Sequence, residues 1–244
     1  MITRHHVALA LLCSIIPAGI LVSFDPVTAV LGIMGTAIGA ILPDIHMHRS
    51  KSSRLRRIPW TIVQVGRVLC IPLMQAGYRK FFGIETDSRD KRMTHSMPGI
   101  LIYSLVFTII SGGFVLLFPY QIPLIAAIGF TGGIVLGMVL HLAEDMCTKK
   151  GIYPAYPFSE RRVAGSIRPC DTDDPRIAEF HFLHAVFAGV FLVIIFTMNV
   201  PPPDTWTGGV IAIGLCVGSM IATSDVQVRA KNPSRAYNPD KAVA

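Results

Sequence analysis

Six apolar stretches, at about residues 6–24, 27–43, 98–118, 122–142, 182–200 and 206–224, constrain this chain more than any other feature. Each is close to the roughly 20 low-charge residues that cross a bilayer core. Composition agrees: 52% of the 244 residues are hydrophobic and 15% charged, where a soluble domain carries about a quarter charged. A large soluble core would explain the percentages but not their segregation into runs of spanning length. The shortest run, 27–43, carries Gly32, Gly35 and Gly39, a pattern suited to close helix packing. The predicted fold class is all-α, a polytopic membrane bundle of about six transmembrane helices. Residues 1–228 form the membrane-embedded domain, and 229–244, rich in Lys, Arg, Asn and Pro, form a flexible polar tail. The first run follows Arg4 and leads into Asp25-Pro26 without a small-residue cleavage site, so it reads as retained rather than as a signal peptide. Cys13, Cys70, Cys147, Cys170 and Cys216 show no paired spacing and read as reduced thiols or small core residues.

The stretch 58–76 is apolar but interrupted by Gln64, Arg67, Pro59 and Pro72. If it does not span, the connections at 25–26, 119–121 and 201–205 share one side and hold no Lys or Arg. The opposite side then receives Arg4, the basic run 49–57, Arg79 to Arg92, Lys149 to Arg176 and the tail. Positive residues favour the cytoplasm. The expected protein is therefore a multi-pass inner or plasma membrane protein with both termini cytoplasmic, and 58–76 is interfacial or re-entrant.

This topology gathers all eight histidines at one membrane face, at helix ends, where ionisable groups are costly unless paired or bound. His141 and Asp145 are four residues apart at the close of the fourth span, so they share a helix face and can hold a metal or simply pair. Glu144, one position away, is assigned to another face and to an arginine or the headgroups. Asp44, His46 and His48 alternate after Pro43, either as metal ligands or as a polar helix exit. His95 precedes the third span, with Thr94 and Ser96 available as caps. His5 and His6 are adjacent, so one of them points inward. His181 and His184 share a face as interfacial histidines, ligands or proton carriers.

The segments LPDIHMH (42–48), RMTHS (92–96) and HLAEDMCTKKGIYPAYPFS (141–159) resemble the YdjM-like family of membrane-bound metal-dependent hydrolases over about residues 1–165. That family shows an N-terminal His, LPDxDH, HRGxTHS, and HxxxDxxTxxG followed by PFS. The last motif is matched at His141, Asp145, Thr148, Gly151, Pro157, Phe158 and Ser159. The resemblance implies His6, Asp44, His95, His141 and Asp145 as metal ligands, with Asp44, His95 and Asp145 also catalytic. His46 stands where the family has its second acid and Met47 where it has His, with His48 one place later. Asp90 stands where HRGxTHS begins, and Arg92 replaces its Gly. His46 and His48 are thus candidates for the metal or for its surroundings. The ligand order is also similar to that of zinc-dependent phospholipases C.

A mixed imidazole and carboxylate set suits zinc first, with manganese or iron as alternatives. The expected activity is hydrolysis of a phosphoester or other ester of a lipid-like substrate by metal-activated water. Lys149, Arg161 and Arg162 are candidates to hold a phosphate, or serve only as cytoplasmic positive charge. The expected partners are the lipid bilayer and a lipid-like or phosphorylated substrate. No nucleic acid partner is expected, because the net charge of +7 lies in the loops. Two other classes fit the same residues: a metal-ion or proton transporter, which would want an acid at mid-depth, and a non-catalytic membrane-anchored binding protein.

Overall fold

The computed structural model describes residues 3–44, 57–88, 90–120, 122–169, 174–198 and 200–229. Six helices in it are long and apolar enough to cross a membrane: Arg4–Leu21, Pro26–Asp44, Met97–Leu117, Leu124–Met146, Arg176–Thr197 and Pro202–Thr223. The helical elements beneath these spans are α1 (Thr3–Leu21), α2 (Pro26–Gly39), a 3-10 turn (Leu42–Asp44), α3 (Arg57–Phe82), the single turn α4 (Lys91–Thr94), α5 (Met97–Leu117), α6 (Leu124–Met146), α7 (Arg176–Thr197) and α8 (Pro202–Thr223).

Local chemistry sets the boundaries. Asp25 caps α2 by accepting from the amides of Val27 and Thr28 and from the Thr28 hydroxyl, and Pro26 supplies the first helical position. Ser96 caps α5, accepting from the Gly99 amide at 3.2 Å. The outward faces are apolar: Leu101, Leu105 and Ile109 recur every fourth residue on α5 and are more than half exposed. Such a stripe is a liability in water and the ordinary exterior of a span in lipid. The chain is a multi-pass membrane protein.

The stretch 58–76 is the body of one continuous helix, α3. It carries Arg57, Arg67, Arg79 and Lys80 and is not one of the six spans. Its Cys70, Met74 and Tyr78 pack into a core with Tyr103 and Phe107 of α5 and Met138 of α6.

The most extensive packing joins α2 to α6, which run in the same direction. Glycines line both faces, Gly32, Gly35 and Gly39 on one and Gly129, Gly133 and Gly137 on the other, and the Thr36 backbone approaches the second set. A Cβ on Gly133 would stand 2.1 Å from the Gly32 carbonyl oxygen, and one on Gly137 would stand 2.1 Å from that of Thr36. At these positions no side chain fits between the two backbones. α1 packs beside α2 and α6 and also against α7 and α8.

One end of the bundle collects α1's start, α2's end, α5's start and α6's end, and it carries the charged loops. The opposite connections, 22–25, 118–123 and 198–201, contain no Lys or Arg. At the charged end the segment after α6 folds back. Lys149 donates its amide to Ile167 O at 2.8 Å, and Ile152 and Val163 exchange amide bonds at 2.9 Å. Gly151 turns the chain at φ +59°, where a Cβ would meet Val163 O at 2.2 Å. A two-stranded antiparallel ribbon then pairs β1 (Arg162–Ala164) with β2 (Gln227–Arg229). It is a small addition to a fold that is otherwise helical. Arg229, assigned above to the tail, pairs with Arg162 in it, and 230–244 lie outside the described residues.

Candidate metal centre

The glycine seam determines what happens one turn beyond it. With α2 and α6 in backbone contact at Gly137, the carbonyl of Ala40 lies 2.7 Å from His141 Nδ1. A carbonyl accepts, so Nδ1 carries the proton and Nε2 keeps its lone pair. His95, which ends α4, donates from Nδ1 to Lys91 O at 3.1 Å, with the Thr94 hydroxyl also 3.1 Å from that nitrogen. His6, on the first turns of α1, has Nδ1 2.7 Å from Glu144 Oε2. The rings of His95 and His141 are therefore held by carbonyl acceptors at Nδ1 and present a bare Nε2, and that of His6 is held at Nδ1 by the Glu144 carboxyl.

These nitrogens converge. His95 and His141 Nε2 are 3.4 Å apart. Asp145 Oδ2 is 3.6 Å from both, and its Oδ1 is 3.4 Å from His6 Nε2. Asp44 Oδ1 is 3.4 Å from His95 Nε2. The rings of His6 and His141 stack with centroids 3.9 Å apart. His6 and His141 are fully buried, and Asp44 and His95 nearly so. The Asp145 side chain keeps 15% exposure, the most of the five. Burial holds His95 below its ordinary value of 6.5 against the pull of Asp44, so it stays in the neutral form that ligates.

Lone pairs and carboxylate oxygens facing one another repel unless a cation lies among them. His6 Nε2 is buried, with only the long 3.4 Å approach of Asp145 Oδ1 to offset its loss of water, a costly state at this depth. Ligand atoms about 2.0–2.1 Å from one ion in a tetrahedral array stand about 3.4 Å apart, which is close to the observed spacings. Two overlapping donor triads, His6–Asp44–His141 and His95–His141–Asp145, bring their ligand atoms within 4.8 Å of one another. The donor set fits a divalent metal ion.

The five residues that the sequence resemblance implied are thus together. His46 and His48 lie outside the described residues. His5 turns away from the cluster towards His181, with ring centroids 5.6 Å apart, and His184 is buried elsewhere on α7. Lys149 and Arg161 are exposed, and Arg162 reaches the Lys150 carbonyl at 3.4 Å. Thr148 accepts from the Gly151 amide and donates to Asp145 O, and so closes the turn.

Sequence reasoning missed two contributors. Glu144 meets neither an arginine nor the headgroups. It is 1% exposed and orients His6, because a step of one residue from Asp145 turns its side chain towards α1. Lys91 places Nζ 3.1 Å from Asp44 Oδ1; its position four residues before His95 was the available signal. Arg92 instead pairs with Asp90 and lies over the Tyr156 ring at 4.8 Å.

The model of the family described as YdjM inner membrane protein matches residues 1–225. Neither the curated proteins nor the solved structures yield a match.

Proposed function

The chain belongs to the YdjM inner membrane protein family, and from that membership and the donor cluster together we propose that it is a membrane-bound, metal-dependent hydrolase. Its substrate is a phosphoester or other ester of a lipid-like molecule, met at the cytoplasmic face. The observation that carries this reading is the set of three imidazoles, each held by a hydrogen bond at Nδ1, whose Nε2 atoms face Asp44 and Asp145.

His6, Asp44, His95, His141 and Asp145 would hold the ion, zinc before manganese or iron. When bound, such an ion supplies a water acidified towards a pKa of about 7 and a Lewis acid for a phosphoryl oxygen. The chain's own residues do the rest. Ala40 and Glu144 fix the rings of His141 and His6, so the donors are in place before any ligand arrives. Asp145, the partly exposed member, is the candidate to take a proton from water, with Asp44 and His95 beside it. Lys91 is 36% exposed and offers positive charge to an anionic group entering there. Lys149, Arg161 and Arg162 are the candidates to hold a phosphate or headgroup.

Elemental analysis of detergent-purified protein, wild type beside His141→Ala, tests the site. Stoichiometric divalent metal that is lost in the variant supports it. Wild-type protein purified without chelator and holding no such metal would end the proposal. Release of phosphate or alcohol from lipid phosphoesters, abolished by Asp145→Asn, then tests the reaction class.

A further inference from the structure

A second group of soft donors sits deeper in the bundle and takes no part in the centre above. Cys13 of α1, His184 of α7 and Cys216 of α8 bring one ligand atom each within 4.8 Å of the others. The cysteines are 0% and the histidine 1% exposed. They come from three helices at matching depth. Cys13 lies nine residues after Arg4, His184 eight after Arg176, and Cys216 seven before Thr223, each about 11–14 Å along its span at 1.5 Å per residue. The neighbours are mostly apolar, with Ile16, Ala188, Phe191 and Ala212, and Glu144 is close enough to interact with Cys13.

The histidine repeats the device of the first centre. Its Nδ1 donates to Phe180 O at 2.7 Å, which leaves Nε2 as a bare acceptor. That nitrogen is buried with no hydrogen-bond partner. An unpaired acceptor inside a membrane span is a standing cost, and the groups gathered around it are two thiols. We propose that Cys13, His184 and Cys216 form a second metal site, for a soft or borderline divalent cation of the zinc type. On binding, each thiol loses its proton to solvent, and two thiolates with one divalent ion sum to zero charge. A neutral assembly is the form that low dielectric tolerates. The sulfur donors separate this site in preference from the nitrogen and oxygen cluster, which suits harder ions as well. Cys13 follows His6 by seven residues, so the two sites stand on one face of α1 about 10 Å apart.

Cobalt(II) is the probe, added to the full chain in detergent under reducing conditions. Wild-type protein is expected to give a near-ultraviolet thiolate-to-cobalt charge-transfer band, worth one ion per chain. Cys13→Ser and Cys216→Ser should each abolish it, and His184→Gln should weaken binding at least tenfold. His141→Ala should leave the band intact, so failure at one site is distinguishable from failure at the other. Size-exclusion profiles and retained His141-dependent metal certify that the variants are folded. Absence of the band from wild-type protein overturns the proposal without recourse to any variant. So does a band that survives loss of both cysteines, or recovery of Cys13 and Cys216 joined as a disulfide.

Discussion

Substituting Gly137 by alanine tests whether the α2–α6 seam sets the metal centre. The added Cβ would lie 2.1 Å from Thr36 O, 2.7 Å from Ala40 N and 3.0 Å from Gly39 C. All three are backbone atoms and cannot rotate aside. Restoring even a 3.0 Å contact to Thr36 O requires the helices to part by 3.0 − 2.1, about 0.9 Å. Taken along the His141 Nδ1–Ala40 O bond, that displacement stretches 2.7 Å to about 3.6 Å, beyond hydrogen-bonding range. Overpacking of this kind costs about 1–3 kcal/mol, and loss of a ligand's orienting partner typically lowers metal affinity about 10–100-fold. The control is on the same helix. Gly132 has nothing within 4 Å of its virtual Cβ, so Gly132→Ala should be neutral or should stabilise by up to about 1 kcal/mol. Thermal unfolding in detergent and competitive metal titration against a chelator measure the two effects. Equal unfolding midpoints for the two variants would refute the packing argument. A destabilised Gly137→Ala protein with wild-type metal affinity would refute the link from seam to His141.

Three further substitutions probe the surroundings. Glu144→Gln keeps the volume and an acceptor beside His6 but removes the charge, so metal affinity should fall about tenfold, and Glu144→Leu should lose more, towards about 100-fold; isothermal titration with both variants at wild-type affinity would deny Glu144 its orienting role. Lys91→Met removes a cation 3.1 Å from Asp44, so metal binding should tighten by roughly fivefold, the scale of a part-exposed charge pair, whereas weaker binding in the same titration would count against that placement. Gly151→Ala puts a Cβ 2.2 Å from Val163 O at a positive φ, at a cost of about 1–3 kcal/mol; limited proteolysis should then cut between Cys147 and Ile167 faster than in wild type.

Much of the architecture is legible in the sequence, because lipid makes length and charge decisive. The six spans emerge within about six residues of their observed ends, the largest miss being the start of α7, placed at 182 and found at Arg176, and the loops lacking Lys and Arg fall at one end of the bundle. The His141–Asp145 pair is legible too, since four residues of helix bring two side chains to one face. What escapes is whatever depends on a neighbour distant in sequence. Glu144 reads as a stray acid until α1 supplies His6, 138 residues away. Cys13 and Cys216 show no spacing that would pair them, and only the packing of α1 between α7 and α8 brings them together. The ribbon of Arg162–Ala164 with Gln227–Arg229 is three residues per strand, too short for any alternation to register.

The glycine seam also orders events during synthesis. α2 and α6 are each other's complement, yet 85 residues separate Gly39 from Leu124. At about 5–20 residues per second, α2 spends about 4–17 s in the membrane before its match emerges from the ribosome. Through that interval its small-residue face lacks α6, and Ala40 has no imidazole to hold. The centre is therefore assembled after translation of α6, by lateral docking of helices already inserted. A chain stopped short of residue 129 contains neither the seam's second half nor the ligand it aims.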